Sequence, residues 1–190
     1  MTIDLAGLLA ELRTDHKNMA LMLDLLEAES NRLYDGQDAD YELMQDVMHY
    51  MTVYPDAIHH PKEDRVYAEL QAVRPDLSNS FDQIIVDHRD LAELGMRIRN
   101  DIESIMSGTA LRRNVIIADA LRYVTRLRDH MRWEERDLFV RVEEMIYDGH
   151  ALIVETDVHD KTAPVIDPET EKRFSKLYDS IQQTLSARHM

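Results

Sequence analysis

The sequence predicts an all-α protein: an up-down-up-down four-helix bundle over residues 1–148, then a loop and an additional C-terminal helix over residues 149–190, packed on the bundle. Three observations predict it. Apolar residues recur in alternating steps of three and four through four long segments, the period of one helix face. Five Gly and five Pro in 190 residues leave room for long uninterrupted helices. The breaks between the segments are short, and no stretch alternates apolar and polar residues as a strand would. Four long helices with short connections pack as antiparallel neighbours.

In the first segment Thr2 is the expected N-cap, with Asp4 in the first turn. Leu5, Leu9, Leu12, His16, Met19, Leu23 and Leu26 then form one stripe, and Gly36 lies beyond its end. The second segment starts near Asp40 and carries Leu43, Val47, Met51, Tyr54, Ile58, Val66 and Leu70, with Pro55 and Pro61 inside it. Each proline deletes a backbone donor and crowds the preceding turn, so a kink or broken turn is expected there. The third segment, capped by Ser78 or Asn79, carries Phe81, Ile84, His88, Leu91, Gly95, Ile98, Ile102 and Ile105 and closes at Ser107-Gly108. The fourth runs from about Leu111 to Tyr147, with Ile116, Ala120, Tyr123, Leu127, His130, Glu134, Leu138 and Met145 in register, and stops at Asp148-Gly149. Residues 150–166 show no periodicity. Asp167-Pro168-Glu169 is a strong helix start, and Phe174, Leu177, Tyr178, Ile181 and Leu185 follow on one face.

Composition narrows the chemistry. A formal charge of −15 argues against nucleic acid, where Lys and Arg must neutralise phosphates, and against an anionic membrane surface. The absence of Cys excludes thiolate metal sites, catalytic thiols and disulfides. Without a leader-like N-terminus or a membrane-length apolar run, a cytoplasmic protein is expected.

The chemistry-bearing residues sit on the inward stripes. His59 and Glu63 are four residues apart, as are His130 and Glu134, so each pair shares a helix face. His16 and His88 stand singly on the other two segments. Taken one at a time, a histidine on an apolar face is usually a satisfied core residue, and a His/Glu pair is usually a solvated surface pair. Here every one of the four segments places one His inward, and two add a Glu one turn along. Two buried carboxylates need cations to compensate them. Imidazole and carboxylate together suit Fe, Zn or Mn, and a carboxylate can bridge two ions.

The levels agree as well. His88 and His130 each lie 21 residues from Thr109, about 31 Å down both helices. Glu63 and His88 lie 13 and 12 residues from Asp76. His16 and His59 lie 19 and 24 residues from Asp35, a mismatch that falls across Pro55.

The order His, then His-x-x-x-Glu, then His, then His-x-x-x-Glu resembles the hemerythrin-like, or HHE cation-binding, proteins. The strings Tyr54-Pro55-Asp56, His59-His60-Pro61-Lys62-Glu63-Asp64 and His130-Met131-Arg132-Trp133-Glu134-Glu135 are similar to those of bacterial members, and the likeness spans about residues 10–147. The resemblance implies a four-helix bundle holding two non-haem irons bridged by Glu63 and Glu134, with zinc or manganese as the other ions such donors suit. It departs from the oxygen carriers in two places. His88 is followed four residues on by Ala92 rather than His, and Glu134 lies four rather than five residues after its His. That leaves His16, His59, His88 and His130 as nitrogen ligands and is closer to the family's sensor and repair branches. His60 is either a further ligand or a residue flanking the helix.

The functions that follow are binding of oxygen, nitric oxide or peroxide for sensing, protection or detoxification; iron storage, donation or repair; or a helical interaction module with adventitious zinc. The protein partner is not indicated. Tyr54 and Tyr123 lie on inward stripes and could reach groups behind the ligands, with core packing the expected role; Trp133, Met19, Met51, Met131 and Met145 read as core. Asp15, Asp87 and Asp129, each preceding a ligand His, read as surface caps. His49 is expected to stand off the site, and His150, His159 and His189 to be solvated.

Overall fold

The computed structural model describes residues 2–150 and 152–154, together with Lys172, Lys176, Tyr178, Asp179, Ile181 and Gln183. Helix α1 spans Leu5–Tyr34. A second rod consists of α2 (Tyr41–Tyr54), a π-helical turn (Pro55–His59) and α3 (His60–Val73). After a 3₁₀ turn at Pro75–Leu77, α4 runs from Ser78 to Met106. The fourth rod is α5 (Arg113–Trp133), a second π turn (Glu134–Leu138) and α6 (Phe139–Tyr147). Each rod packs against the next and the fourth packs against the first, which closes the bundle.

The helix ends follow local chemistry. Asp40 caps α2 by accepting from the Leu43 amide at 2.9 Å. The first rod ends at Gly36, whose φ of 77° is the left-handed conformation that lets the Gly36 and Gln37 amides turn back onto the Leu33 and Arg32 carbonyls. At the N-terminus the cap is Asp4, which accepts from the Ala6 amide at 3.1 Å, and not Thr2. Thr2 belongs instead to strand β1 (Thr2–Asp4), paired antiparallel with β2 (Leu152–Val154). The expected loop at 150–166 is therefore interrupted by a short strand. Three residues are too few to show alternation, so nothing in the sequence marks them. The rest of that loop, and most of the C-terminal helix expected after Asp167, lie outside the described residues. The six positions described beyond Val154 are helical, and Ile181 is buried in the larger apolar cluster.

The distortion expected from the prolines takes the form of the first π turn, in which the His60 amide reaches back five residues to the Pro55 carbonyl. Pro55 has no amide to offer the Met51 carbonyl. The Tyr123 hydroxyl, from the fourth rod, donates to that carbonyl at 3.3 Å. The second π turn has no proline to announce it.

Two apolar clusters fill the bundle. The larger includes Met22, Leu26, Met44, Val47, Met48, Ile98, Ile102, Ile116 and Val124. The smaller includes Leu5, Leu9, Leu12, Val66, Leu70, Ile84, Phe139 and Val142. Fully burying each such side chain is worth about 1.5–3 kcal/mol. Between the clusters lies a layer of buried polar side chains. Trp133 belongs to neither cluster: it is 37 % exposed, so the expectation that it packs in the core is wrong. It directly precedes the second π turn, where the widened helix changes which residues face inward.

Candidate metal centre

The polar layer is made of the residues the two pairs and two single histidines predict. Glu63 and Glu134 have no solvent exposure, and His16, His59 and His130 are buried with them. Each carboxylate lies between histidines of different rods: one oxygen of Glu63 faces His59 and His16 and the other faces His88, while one oxygen of Glu134 faces His130 and His88 and the other faces His16. Glu63 Oε1 lies 3.1 Å from His59 Nε2 and 3.7 Å from His16 Nε2, while its Oε2 lies 3.5 Å from His88 Nε2. Glu134 Oε2 lies 3.4 Å from His16 Nε2, while its Oε1 lies 3.3 Å from His130 Nε2 and 3.8 Å from His88 Nε2. His88 and His130 bring their Nε2 atoms within 3.0 Å of each other.

His60 joins this layer from the rim. Its ring stacks on His88 with centroids 3.8 Å apart, and its Nδ1 meets Asp56 at 3.2 Å. Three sets of donor atoms converge within 4.8 Å: His16, His59 and Glu63; His60, Glu63 and His88; His88, His130 and Glu134. His49 belongs to none of them, and His150 is exposed. His159 and His189 lie outside the described residues.

The donor set fits metal cations. His16 Nε2, Glu63 Oε2 and Glu134 Oε2 are buried in the layer with no hydrogen-bond partner among the described residues. Such orphaned groups cost about 1–3 kcal/mol each unless something satisfies them. Neutral imidazole nitrogen beside carboxylate oxygen is the chemistry of an iron, zinc or manganese site.

Without a cation the imidazoles and carboxylates still stabilise one another's charged forms. Burial opposes charge on His16, yet Glu134 and Glu63 outweigh it and push the imidazole up to about 10. His59 is likewise buried, and Glu63 and Asp15 push it up to about 9. Against burial and the charge of Glu134, the neighbouring imidazoles hold Glu63 down to about 2. Glu134 is held well below its ordinary value, by His130 first, against the pull of burial. His60 goes the other way: burial lowers it, and Asp56 only partly compensates.

The outer faces of the imidazoles carry a second set of carboxylates; of these Asp15 and Asp87 are the two expected at the surface. Asp15 is buried; it accepts from Tyr54 Oη at 2.6 Å and meets His59 Nδ1 at 3.3 Å. Lys62 Nζ adds a contact at 3.7 Å. Burial alone would raise Asp15, but His59, Tyr54 and Lys62 together hold it below its usual range. Glu135 meets His16 Nδ1 at 3.1 Å, and Asp87 lies 4.0 Å from His130 Nδ1. For His59 and His16, a carboxylate on Nδ1 fixes the ring so that Nε2 faces the centre, whereas Asp87 is too far from His130 Nδ1 to hydrogen-bond it.

Adjacency along one helix does not reveal these partners. Asp15 points away from its neighbour His16, but it points at the next rod, where His59 needs it. Asp129 is a surface residue paired with Arg132, as expected. Of the two roles open to Tyr54, packing and reach toward the groups behind the ligands, the structure shows the second as well: the buried ring holds Asp15. Tyr123 stays in the core, bonded to the Met51 carbonyl. Tyr67 was missed. Its hydroxyl donates to Glu134 Oε1 at 2.9 Å and lies 3.4 Å from Glu63 Oε1, so one phenol touches both carboxylates. The signal was present, since Tyr67 lies one helical turn beyond Glu63.

An all-α bundle with two carboxylates shared between histidines from every rod defines a cation-binding protein of the four-helix class. The family model described as the hemerythrin HHE cation binding domain matches residues 7–142. The chain belongs to that family. No curated protein and no solved structure matches it. No helix among the described residues is long and apolar enough to cross a membrane.

Proposed function

We propose that the chain is a non-haem di-iron protein that binds dioxygen, nitric oxide or peroxide at an incompletely coordinated iron, in a sensing, protective or detoxifying role. The observation that carries this reading is the split of each buried carboxylate: Glu63 has one oxygen toward His16 and His59 and the other toward His88, and Glu134 has one toward His16 and the other toward His88 and His130. His16 and His59 would hold one ion, His88 and His130 the other, and Glu63 and Glu134 would bridge them. Iron so held supplies a redox-active position open to a small exogenous ligand.

The protein side of the site supports that use. Four imidazoles and two shared carboxylates give each ion two nitrogens and two oxygens, fewer than the five or six ligands that iron usually takes. A cavity of about 20 Å³ adjoins the histidines, walled on its apolar side by Met51, Leu91, Leu127 and Met131. That is room for about one water-sized molecule. The apolar wall favours a diatomic over water, and the bundle keeps bulk solvent off both carboxylates. His60 stands at the rim and supplies a fifth imidazole if it turns onto the ion beside His88.

Metal analysis with ultraviolet-visible spectra tests the reading. The expected result is iron retained through dialysis against chelator, with near-ultraviolet absorption that shifts on adding azide. Iron lost to the chelator without azide response favours a store or donor. A chain that takes up zinc and no iron overturns the proposal. The variant His60→Ala decides the fifth ligand: weakened iron binding with an altered spectrum marks a ligand, and parental behaviour marks a bystander.

A further inference from the structure

Three tyrosine rings run in sequence from the support of one histidine to the C-terminal segment. Tyr54 donates its hydroxyl hydrogen to Asp15 Oδ1 at 2.6 Å, and Asp15 Oδ2 meets His59 Nδ1 at 3.3 Å. The Tyr54 ring stacks on Tyr50, with centroids 4.9 Å apart and planes 9° from parallel. The stacking follows from the sequence, because Tyr50 and Tyr54 are one helical turn apart on α2. Tyr50 in turn lies 6.4 Å from the ring of Tyr178, which is half-buried against the bundle. The series thus begins one carboxylate away from a proposed metal ligand and ends where solvent begins.

Tyrosine is among the few side chains that give up a single electron readily, and transfer between rings falls steeply with distance. Rings held this close suit passage of an electron far better than separated ones. The geometry points to Tyr54, Tyr50 and Tyr178 as a one-electron relay between the metal centre and the surface. This deepens the proposed function and rests on it, with peroxide as the oxidant.

In the step itself, Tyr54 loses one electron toward His59 while its proton moves along the 2.6 Å hydrogen bond to Asp15 Oδ1, leaving a neutral phenoxyl. An electron then passes from Tyr178 across the Tyr50 ring, Asp15 returns the proton to Tyr54, and Tyr178 releases its own proton to solvent. A hydrogen-atom donor of the ascorbate class restores the Tyr178 phenol. Reduction of peroxide to water takes two electrons and two protons, so two passes complete it.

The experiment uses the iron-loaded full chain, mixed with hydrogen peroxide, frozen, and read by electron paramagnetic resonance with ring-deuterated tyrosine to identify phenoxyl. The parent is expected to show a tyrosyl radical that ascorbate quenches rapidly. Tyr54→Phe should lose the radical, while Tyr50→Phe and Tyr178→Phe should keep it but resist quenching. Tyr34→Phe, which alters an exposed ring, should match the parent. Each change removes a single oxygen, and circular dichroism checks that the bundle persists.

Peroxide consumed with no tyrosyl radical overturns the relay and leaves the proposed function standing. So does a radical that survives Tyr54→Phe and vanishes in Tyr67→Phe, since it then arises on the phenol touching Glu134. A chain that holds no iron removes the proposed function and the relay together.

Discussion

Glu63 and Glu134 are each surrounded by imidazoles, with the Tyr67 hydroxyl touching both. In the proposed di-iron centre, removing either carboxylate would delete an oxygen from both ion positions at once. Glu63→Ala or Glu134→Ala should therefore lose most of the bound iron, as measured by metal analysis after gel filtration. Either variant keeping the parental iron content and spectrum would show that its carboxylate is no bridge. Asp15 acts one step further out. Asp15→Ala leaves His59 Nδ1 and the Tyr54 hydroxyl buried without their acceptor. The expected cost is about 1–3 kcal/mol in folding stability. A lost carboxylate behind a ligand histidine weakens metal affinity by about 10–100-fold. Denaturant titration and competition with a chelating dye measure the two effects separately, and a variant as stable and as tightly loaded as the parent would refute the role.

At the level of helices, the four rods and their inward stripes were legible in the sequence, because the histidines and glutamates share the spacing of the leucines beside them. What was not legible lies between helices. Asp15 serves His59 and Glu135 serves His16, and no pattern along one segment reports a partner on another. The π turn at Glu134–Leu138 has no proline or glycine to mark it.

Gly95 illustrates such an interhelical constraint. A Cβ there would lie 3.2 Å from Thr52 Cγ2 and 3.2 Å from Tyr123 Cε2. Alanine gains about 1 kcal/mol of helix propensity over glycine. Overpacking a core that cannot yield costs about 1–3 kcal/mol. Thr52 and Tyr123 are both buried and hydrogen-bonded to backbone carbonyls, so neither gives way easily. Gly95→Ala should lower stability by about 1 kcal/mol on this balance. A stabilised variant in denaturant melts would show that the three rods meeting at Gly95 can shift apart without loss.

For the molecule as a whole, protons and metal compete for the same nitrogens. His16 and His59 rise from 6.5 to about 10 and about 9 in the metal-free fold, so their contribution is complete below pH 6.5 and is lost as pH climbs through 9 and 10. Glu63 falls from 4.5 to about 2, so its contribution is complete above pH 4.5 and is lost as pH drops toward 2. These three groups place the greatest stability of the metal-free protein between pH 4.5 and 6.5, while His60, lowered by burial, works against it as pH falls below 6.5. Iron requires neutral imidazoles, so loading near neutrality should release protons, and acidification should release iron. Calorimetry in buffers of different ionisation enthalpy counts the protons, and uptake without any release would contradict the competition.

The layer between the two apolar clusters has a further consequence, for how the chain finds its topology. Leucines are interchangeable partners, and a bundle held by them alone could slide a rod by one turn at small cost. Here each rod carries its histidine at a single level, two carry the matching acid, and the levels above and below are apolar. A slip of one turn would press a charged carboxylate against leucine and leave imidazoles facing methyl groups, an uncompensated burial that costs several kcal/mol. The six side chains thus work like the bitting of a key. They admit one alignment of the four rods and reject its neighbours even before any ion arrives.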